Sequence, residues 1–366
     1  MKNLIKYFLK LGATGFGGPL VLIQQMRQHY VDKEKLISAN EFDQAFALVK
    51  AMPGPVAFQM ATFLGQKFFG FWGATAAGVC LLFPAFVMMV LFGYYYDSFV
   101  HNPYVVPVLD GLLYSASAVI LMSIKNLIST NVKNSLFWIF VAINLVLTWY
   151  QLLPEPILIV IFGVLAVLYK RLSQTPQLLF SVPFFFLDYS KLYELFKICA
   201  YAGAFVFGTG FALLPALKTS MVDVHNLISI KQFNDAVVFG QMTPGPITIT
   251  ASFLGYQVSG IAGSIVATVA IFLLPFIHMT TWFPKALGWL GRQKWITQFI
   301  MGATAAVVAG ILTTVVHMNE QSLSNSVFWF IAISTLIVIY FRSKTSVLLI
   351  FIVAGALNLL QTMLLK

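Results

Sequence analysis

Two tripeptides, Pro53-Gly54-Pro55 and Pro244-Gly245-Pro246, mark where this chain could hold a small ligand. A residue before proline is pushed out of the helical region, and proline suits the first position of a new helix. Each tripeptide therefore predicts one helix stopping and another starting. The new helix offers unpaired backbone N–H groups and the positive end of its dipole, an arrangement that suits an anion. The nearby side chains are polar and mostly neutral: Gln59 beside the first tripeptide, and Gln241, Thr243, Thr248 and Thr250 beside the second. Amides, hydroxyls and backbone N–H groups can coordinate a divalent oxyanion without trapping it. One charge breaks the pattern, because Lys50 stands where the second copy has Gln241. Asp43, seven residues earlier on the same helical face, either neutralises Lys50 or serves as a coupling-proton site. Two glycine-rich breaks, Phe16-Gly17-Gly18-Pro19 and Gly208-Thr209-Gly210, complete the candidate substrate site.

The elements that position these residues are short. Ser38 precedes Glu41 by three residues and Ser229 precedes Gln232 by three, the spacing of a reciprocal helix cap. The helices that follow carry apolar residues at Phe42, Ala45, Phe46 and Val49, and at Phe233, Ala236, Val237 and Gly240, and end too soon to cross a bilayer. The stretch from Ser38 to about Lys67 reads as a re-entrant hairpin, mirrored by Ser229 to about Val258. Each glycine-rich break reads as a kinked or broken first helix.

Hydrophobic residues make up 59% of the 366 residues and charged residues 9%, so the bilayer is the solvent. The net charge of +10 is spread over short connections between apolar runs, the pattern of cytoplasmic loops and not of a nucleic-acid surface. No cleavable signal is read at the start of the chain, and Cys80 and Cys199 read as buried small hydrophobes. No cofactor and no metal ligand set is indicated. Lys50 lies at membrane depth in this reading, where an ionisable group is costly and functional by default.

Sliding the sequence by 191 positions superposes Gly12, Phe16 and Gly17 on Gly203, Phe207 and Gly208, Leu36-Ile37-Ser38 on Leu227-Ile228-Ser229, and the two tripeptides on each other. The chain is thus an internal duplication: a first repeat at 1–171, a linker at 172–190 and a second repeat at 191–366. Apolar spans are expected at Gly70 to Tyr94 and at about 105–124, 134–151, 157–169, 260–283, 296–317, 325–341 and 346–365. Counting the two broken first helices gives five spans per repeat, hence about ten transmembrane helices plus two re-entrant hairpins in an all-α polytopic membrane protein. An odd count inverts the second repeat. The loop 95–107 lacks lysine and arginine where its counterpart has Lys285, Arg292 and Lys294, in keeping with inversion. Lys2, Lys6 and Lys10 fit that topology poorly.

Inverted repeats with discontinuous helices are a frequent architecture of secondary transporters, whose sites lie where broken helices meet. Asp110 reads as interfacial. The loop histidines His29, His101, His225 and His317, and His278 on an apolar helix, read as surface or packing residues. An intramembrane enzyme would need a catalytic constellation that no span carries, while an anion channel fits the architecture equally well.

The residues quoted above resemble the chromate ion transporters in their two-domain form. Phe16-Gly17-Gly18-Pro19, Phe207-Gly208-Thr209-Gly210 and the paired Pro-Gly-Pro tripeptides, each followed by a Phe-Leu-Gly block, carry the resemblance over nearly the whole chain. It implies secondary transport of chromate, commonly outward across the cell inner membrane and conferring resistance, with sulfate as the structural analogue. The expected partners are the lipid bilayer and the oxyanion, with a homodimer also open. Leu22 and Ile23 stand where members often carry a histidine, and Thr209 where they carry a third glycine, so sulfate or another tetrahedral oxyanion stays open as substrate.

Overall fold

The computed structural model describes residues 1–50, 52–129, 131–171, 191–206, 210–290, 293–342 and 346–364. The expected linker 172–190 lies outside the described residues, as do Phe207, Gly208, Thr209, Arg292 and Lys344. In chain order the helices are α1 (Lys2–Thr14), α2 (Pro19–Arg27), α3 (Ala39–Val49), α4 (Val56–Val100), α5 (Val105–Ile128), α6 (Ser135–Trp149), α7 (Glu155–Arg171), α8 (Lys191–Ala204), α9 (Leu213–Leu217), α10 (Ile230–Met242), α11 (Thr250–Thr280), α12 (Phe283–Leu290), α13 (Lys294–Met318), α14 (Ser326–Phe341) and α15 (Val347–Leu364). Among the described residues five helices, α4, α5, α11, α13 and α15, are long and apolar enough to cross a membrane, and α6 and α14 are shorter apolar helices. This is an all-α, multi-pass membrane protein.

The hairpins form as the caps and prolines dictate. Ser38 Oγ accepts the Glu41 N–H at 3.2 Å. The second copy closes the full reciprocal box, with Gln232 N–H to Ser229 Oγ at 3.1 Å and Ser229 N–H to Gln232 Oε1 at 2.8 Å. After each Pro-Gly-Pro tip the chain runs outward again, then breaks at Phe69-Gly70 (φ −141° and 61°) and at Ser259-Gly260 (φ −155° and 58°). Past these breaks it doubles back, so that Gly65 lies against Gly73, Phe58 against Gly78, and Gly255 against Gly263. The rest of α4 and α11, with Pro84 and Pro275, then runs on through the bundle.

The first segment of each repeat differs from the expectation of a kinked span. Tyr7 on α1 stacks on His29 with ring centroids 4.0 Å apart and 10° between planes. A continuous helix would separate these residues by about 33 Å. The backbone of Gly17 and Gly18, at φ 106° and 81°, turns α2 back along α1. The second repeat does the same: Glu194, near the start of α8, meets His225 at 3.4 Å. Each repeat thus opens with two helical hairpins entering from one end, and a wide π turn follows the returning strand of the first at Gln28–Lys33 and Lys218–Val224. The fold-back also places Lys2, Lys6 and Lys10 at the same end as Arg27, Lys33 and Lys35, so the lysines that fit the kinked-span topology poorly now obey the positive-inside rule.

The two hairpin sets enter from opposite ends. Gln66, just before the first break, donates to the Thr280 carbonyl at the far end of α11 (3.4 Å), and Tyr96, near the far end of α4, donates to Asp235 near the start of α10 (2.7 Å). The helical bundles are exchanged between repeats: α5 packs on α14 and α15, while its counterpart α13 packs on α6 and α7. Symmetry reaches single bonds, with Trp138 Nε1 to Val132 O (2.9 Å) matched by Trp329 Nε1 to Leu323 O (2.8 Å). Cross-repeat polar bonds join the helices, among them Thr148 to Thr313 (3.0 Å) and Asn319 Nδ2 to Ser117 Oγ (2.7 Å), each worth about 0.6 kcal/mol in lipid.

The topology is testable by thiol labelling in a Cys80→Ser, Cys199→Ser background. Asn3→Cys and Lys35→Cys are both expected to label from the cytoplasmic face, and Asn226→Cys from the opposite one. Labelling of Asn3→Cys and Lys35→Cys from different faces would overturn the fold-back.

Candidate functional site

The Pro-Gly-Pro tips meet the breaks of the opposite repeat. Gly54 N–H donates to the Val206 carbonyl at 2.6 Å, and Gly245 N–H donates to the Gly15 carbonyl at 3.1 Å. Val206 is the counterpart of Gly15, as Gly245 is of Gly54, so one bond is made twice. An amide left unpaired in hydrocarbon costs several kcal/mol, and here each repeat caps the opened backbone of the other. The tips also abut the proline bends: Gly54 lies against Pro275, and Gly245 lies against Ala85, next to Pro84. Pro53, Pro55, Pro244 and Pro246 frame this junction in the middle of the bundle.

The side chains beside the tips carry unused hydrogen-bonding capacity. Gln59 is fully buried and donates through Nε2 to the Pro53 carbonyl at 2.8 Å, while its Oε1 has no protein partner. Both amide atoms of Gln241 are buried without a partner, and so is Thr248 Oγ1. Thr248 lies beside Gly210 in the second break. Thr243 and Thr250 are already engaged with the Gly240 and Ile247 carbonyls, at 3.2 and 2.7 Å. Buried polar groups are normally satisfied, so Gln59, Gln241 and Thr248 mark a place where water or a polar ligand belongs. Gly18 faces open space, and Gly17 and Phe16 are exposed at the first break.

The charges sit differently from the sequence expectation. Lys50 is exposed at the end of α3, its Nζ 5.3 Å from the centroid of the Phe46 ring. Asp43 pairs with Arg27 and not with Lys50, accepting from Nε at 3.2 Å and NH2 at 3.4 Å. Gly208 and Thr209 lie outside the described residues. Sequence reasoning missed a buried cluster in which Asp235 accepts from Tyr96 and pairs with Lys231 at 3.4 Å. The signal was available, since the first repeat has Gln44 where the second has Asp235, and a carboxylate in one copy alone is a departure from symmetry. Asp110, read as interfacial, stands close enough to Asp235 and Lys231 to feel both charges.

The two tips are not equally tolerant. Gly54 has φ 130° and Gly245 φ 99°, values that strain any other residue by about 1–3 kcal/mol. A Cβ at Gly54 would also come within 2.6 Å of Gln59 Nε2 and 2.9 Å of Pro275 Cβ, whereas at Gly245 the nearest atom is 3.5 Å away. Gly54→Ala is therefore expected to lower the thermal unfolding temperature of the purified protein more than Gly245→Ala. Equal losses would mean that Gln59 does not hold the first tip as described.

The chromate transporter family matches this chain twice, over residues 2–168 and 193–359, two segments that start 191 positions apart. A chromate transport protein of Cupriavidus metallidurans is 32% identical over 339 residues, covering 88% of this chain and 84% of the relative. A probable chromate transport protein of Synechococcus elongatus is 31% identical over 355 residues, 92% and 89% of the two chains. An uncharacterized transporter of Methanocaldococcus jannaschii is 29% identical over 304 residues, 77% and 75% of the two chains. No solved structure matches the chain significantly.

Proposed function

We propose that this chain, which belongs to the chromate transporter family, is a secondary carrier that moves chromate or a related tetrahedral oxyanion such as sulfate outward across the cell inner membrane. The observation that carries the reading is the reciprocal junction: two half-helices start at Pro55 and Pro246 in the middle of the bundle, and the polar atoms of Gln59, Gln241 and Thr248 beside them lack protein partners. Helix N-termini supply positive potential without a fixed cation, which binds a divalent anion firmly enough to select it and loosely enough to release it. In this reading Gln241 and Thr248 donate to the oxyanion, Gln59 reaches it through the second hydrogen of Nε2, and Phe16, Gly17 and Gly18 form the first break beside it. Thr243 supports the second tip through its bond to the Gly240 carbonyl. Lys50 adds attraction at the exposed end of α3. Asp43 stays a candidate for the coupling proton, its bond to Arg27 being the contact that protonation would release.

Purified protein in proteoliposomes tests the reading. Saturable chromate flux, competed by sulfate and stimulated by anion on the trans side, is expected; flux without trans-stimulation would make it a channel, and no flux of any tetrahedral oxyanion would overturn the proposal. Hydrogen bonds to a charged group are worth about 1.5–3 kcal/mol, so Gln59→Leu or Gln241→Leu is expected to weaken oxyanion binding by about 10-fold or more. Lys50→Gln should weaken it less, with unfolding unchanged. Wild-type affinity in both glutamine variants would move the site away from the tips.

A further inference from the structure

The end of the bundle that carries the N-terminus is open. A cleft of about 1260 Å³ lies there, bounded by α1, the π turn after α2 and the first break in α4. Lys2, Lys6 and Lys10 line it, spaced four residues apart and therefore stacked on one helix face at intervals of about 6 Å. Lys33 adds a fourth cation against a single carboxylate, Glu34. Three stacked lysines on a helix entering a membrane are costly against lipid, and all three are exposed on the open cleft.

A second, independent feature points to a ligand. Tyr30 lines the cleft, is 4% exposed, and its hydroxyl has no partner; the hydroxyl of Tyr7, also on the cleft wall, is unpaired too. Tyr7 packs between His29 and Tyr30, and Tyr30 against Phe68 at 5.3 Å; both hydroxyls are closed to solvent in this arrangement, so a ligand reaches them where the cleft wall opens. The phenols share the cleft wall with the lysines, and phenol and ammonium groups both donate.

The second repeat keeps only part of it. Lys197 stands at the position of Lys6, but the counterparts of Lys2 and Lys10 are Tyr193 and Tyr201, and those of Tyr7 and Tyr30 are Ile198 and Met221, both buried. The full set of three lysines and two phenols is therefore a departure from the duplicated plan, at the lysine-rich end that the positive-inside rule makes cytoplasmic. Its inner limit is Thr14, whose neighbour Gly15 accepts the Gly245 N–H at the second tip.

We propose that this cleft is a loading site for the oxyanion, in which Lys2, Lys6 and Lys10 draw the anion from the cytoplasm and Tyr7 and Tyr30 donate to it before it passes Thr14 to the tips. The inference rests on the transport function proposed above and adds a second binding site and a direction of entry. A basic cleft focuses anions and raises their rate of arrival, an effect that falls with ionic strength. The same chemistry would also attract the phosphate of an anionic lipid, so the test uses vesicles of neutral phosphatidylcholine, with anionic lipid added in a second arm.

Chromate flux is measured with the cytoplasmic face outward and with the opposite face outward, at low and at high salt. The variant Lys6→Gln/Lys10→Gln is expected to raise the cytoplasmic-face KM about 5- to 10-fold at low salt, with kcat kept and most of the salt dependence lost. Flux loaded from the opposite face should keep its wild-type KM. Tyr30→Phe should raise the cytoplasmic KM at both salt concentrations, and Lys6→Arg/Lys10→Arg should restore the wild-type profile. If wild-type protein carries chromate while both the glutamine pair and Tyr30→Phe keep its KM and salt dependence, the cleft is not a loading site. A defect equal from both faces, or one that appears only once anionic lipid is added, likewise overturns it. Absence of flux in the wild-type protein instead sinks the transport function itself.

Discussion

Backbone polar groups cannot be left open in hydrocarbon, and this architecture rests on how that constraint is met. Among the described residues eight helices stop or start inside the bundle, a pair at each of two glycine breaks and two Pro-Gly-Pro tips, and each interruption exposes amides and carbonyls that no lipid can satisfy. The bonds from Gly54 to Val206 and from Gly245 to Gly15 close the most exposed of them across the repeat boundary. Neither repeat can do this alone, since its own tip and its own break do not pair. One copy alone would hold an unsatisfied junction that an inverted copy completes, and the duplication supplies that copy within the same chain. The exchanged packing of α5 and α13 follows the same logic at the scale of whole helices.

Such a junction is satisfied without being filled. Its backbone bonds are made, but the side-chain atoms of Gln59, Gln241 and Thr248 around it are not. A polar network left partly open in a low-dielectric interior is costly unless water or ligand completes it. The fold thus closes the backbone of the junction and leaves the side-chain capacity around it open.

Much of this was legible in the sequence, for reasons that can be traced to particular residues. The Pro-Gly-Pro tips and the Ser38 and Ser229 caps are local signals, decided by backbone sterics within a few residues, and the structure shows each where the sequence put it. The fold-back of α2 on α1 was not legible. A glycine pair announces that the helix breaks but not through what angle, and a kinked span and a hairpin share the same residues at Gly15 to Pro19. The poor fit of Lys2, Lys6 and Lys10 to a kinked span was the available clue. The partner of Asp43 was misjudged for a related reason: Lys50 shares its helix, whereas Arg27 reaches it only because α2 returns to the same end.

The two ends of the bundle are built unequally, and the difference bears on movement. At the basic end the ion pairs are exposed: Arg27 with Asp32 and Asp43, and Lys67 with Glu41. Exposed pairs contribute about 0–1 kcal/mol each and separate easily. At the opposite end the counterpart of the Arg27–Asp32 pair is Lys218–Asp223, at 2.8 Å with the lysine side chain only 8% exposed, accompanied by Thr219 on Glu155 and by Tyr96 and Lys231 on Asp235. Separating one partner of such a buried pair costs about 3–5 kcal/mol unless water enters with it. An inverted repeat makes exchange of exposure geometrically available, because either hairpin set can adopt the other's arrangement. The buried pairs set the two ends apart in energy: separating the contacts of Lys218, Asp223 and Asp235 costs more than separating those at the basic end unless water replaces them.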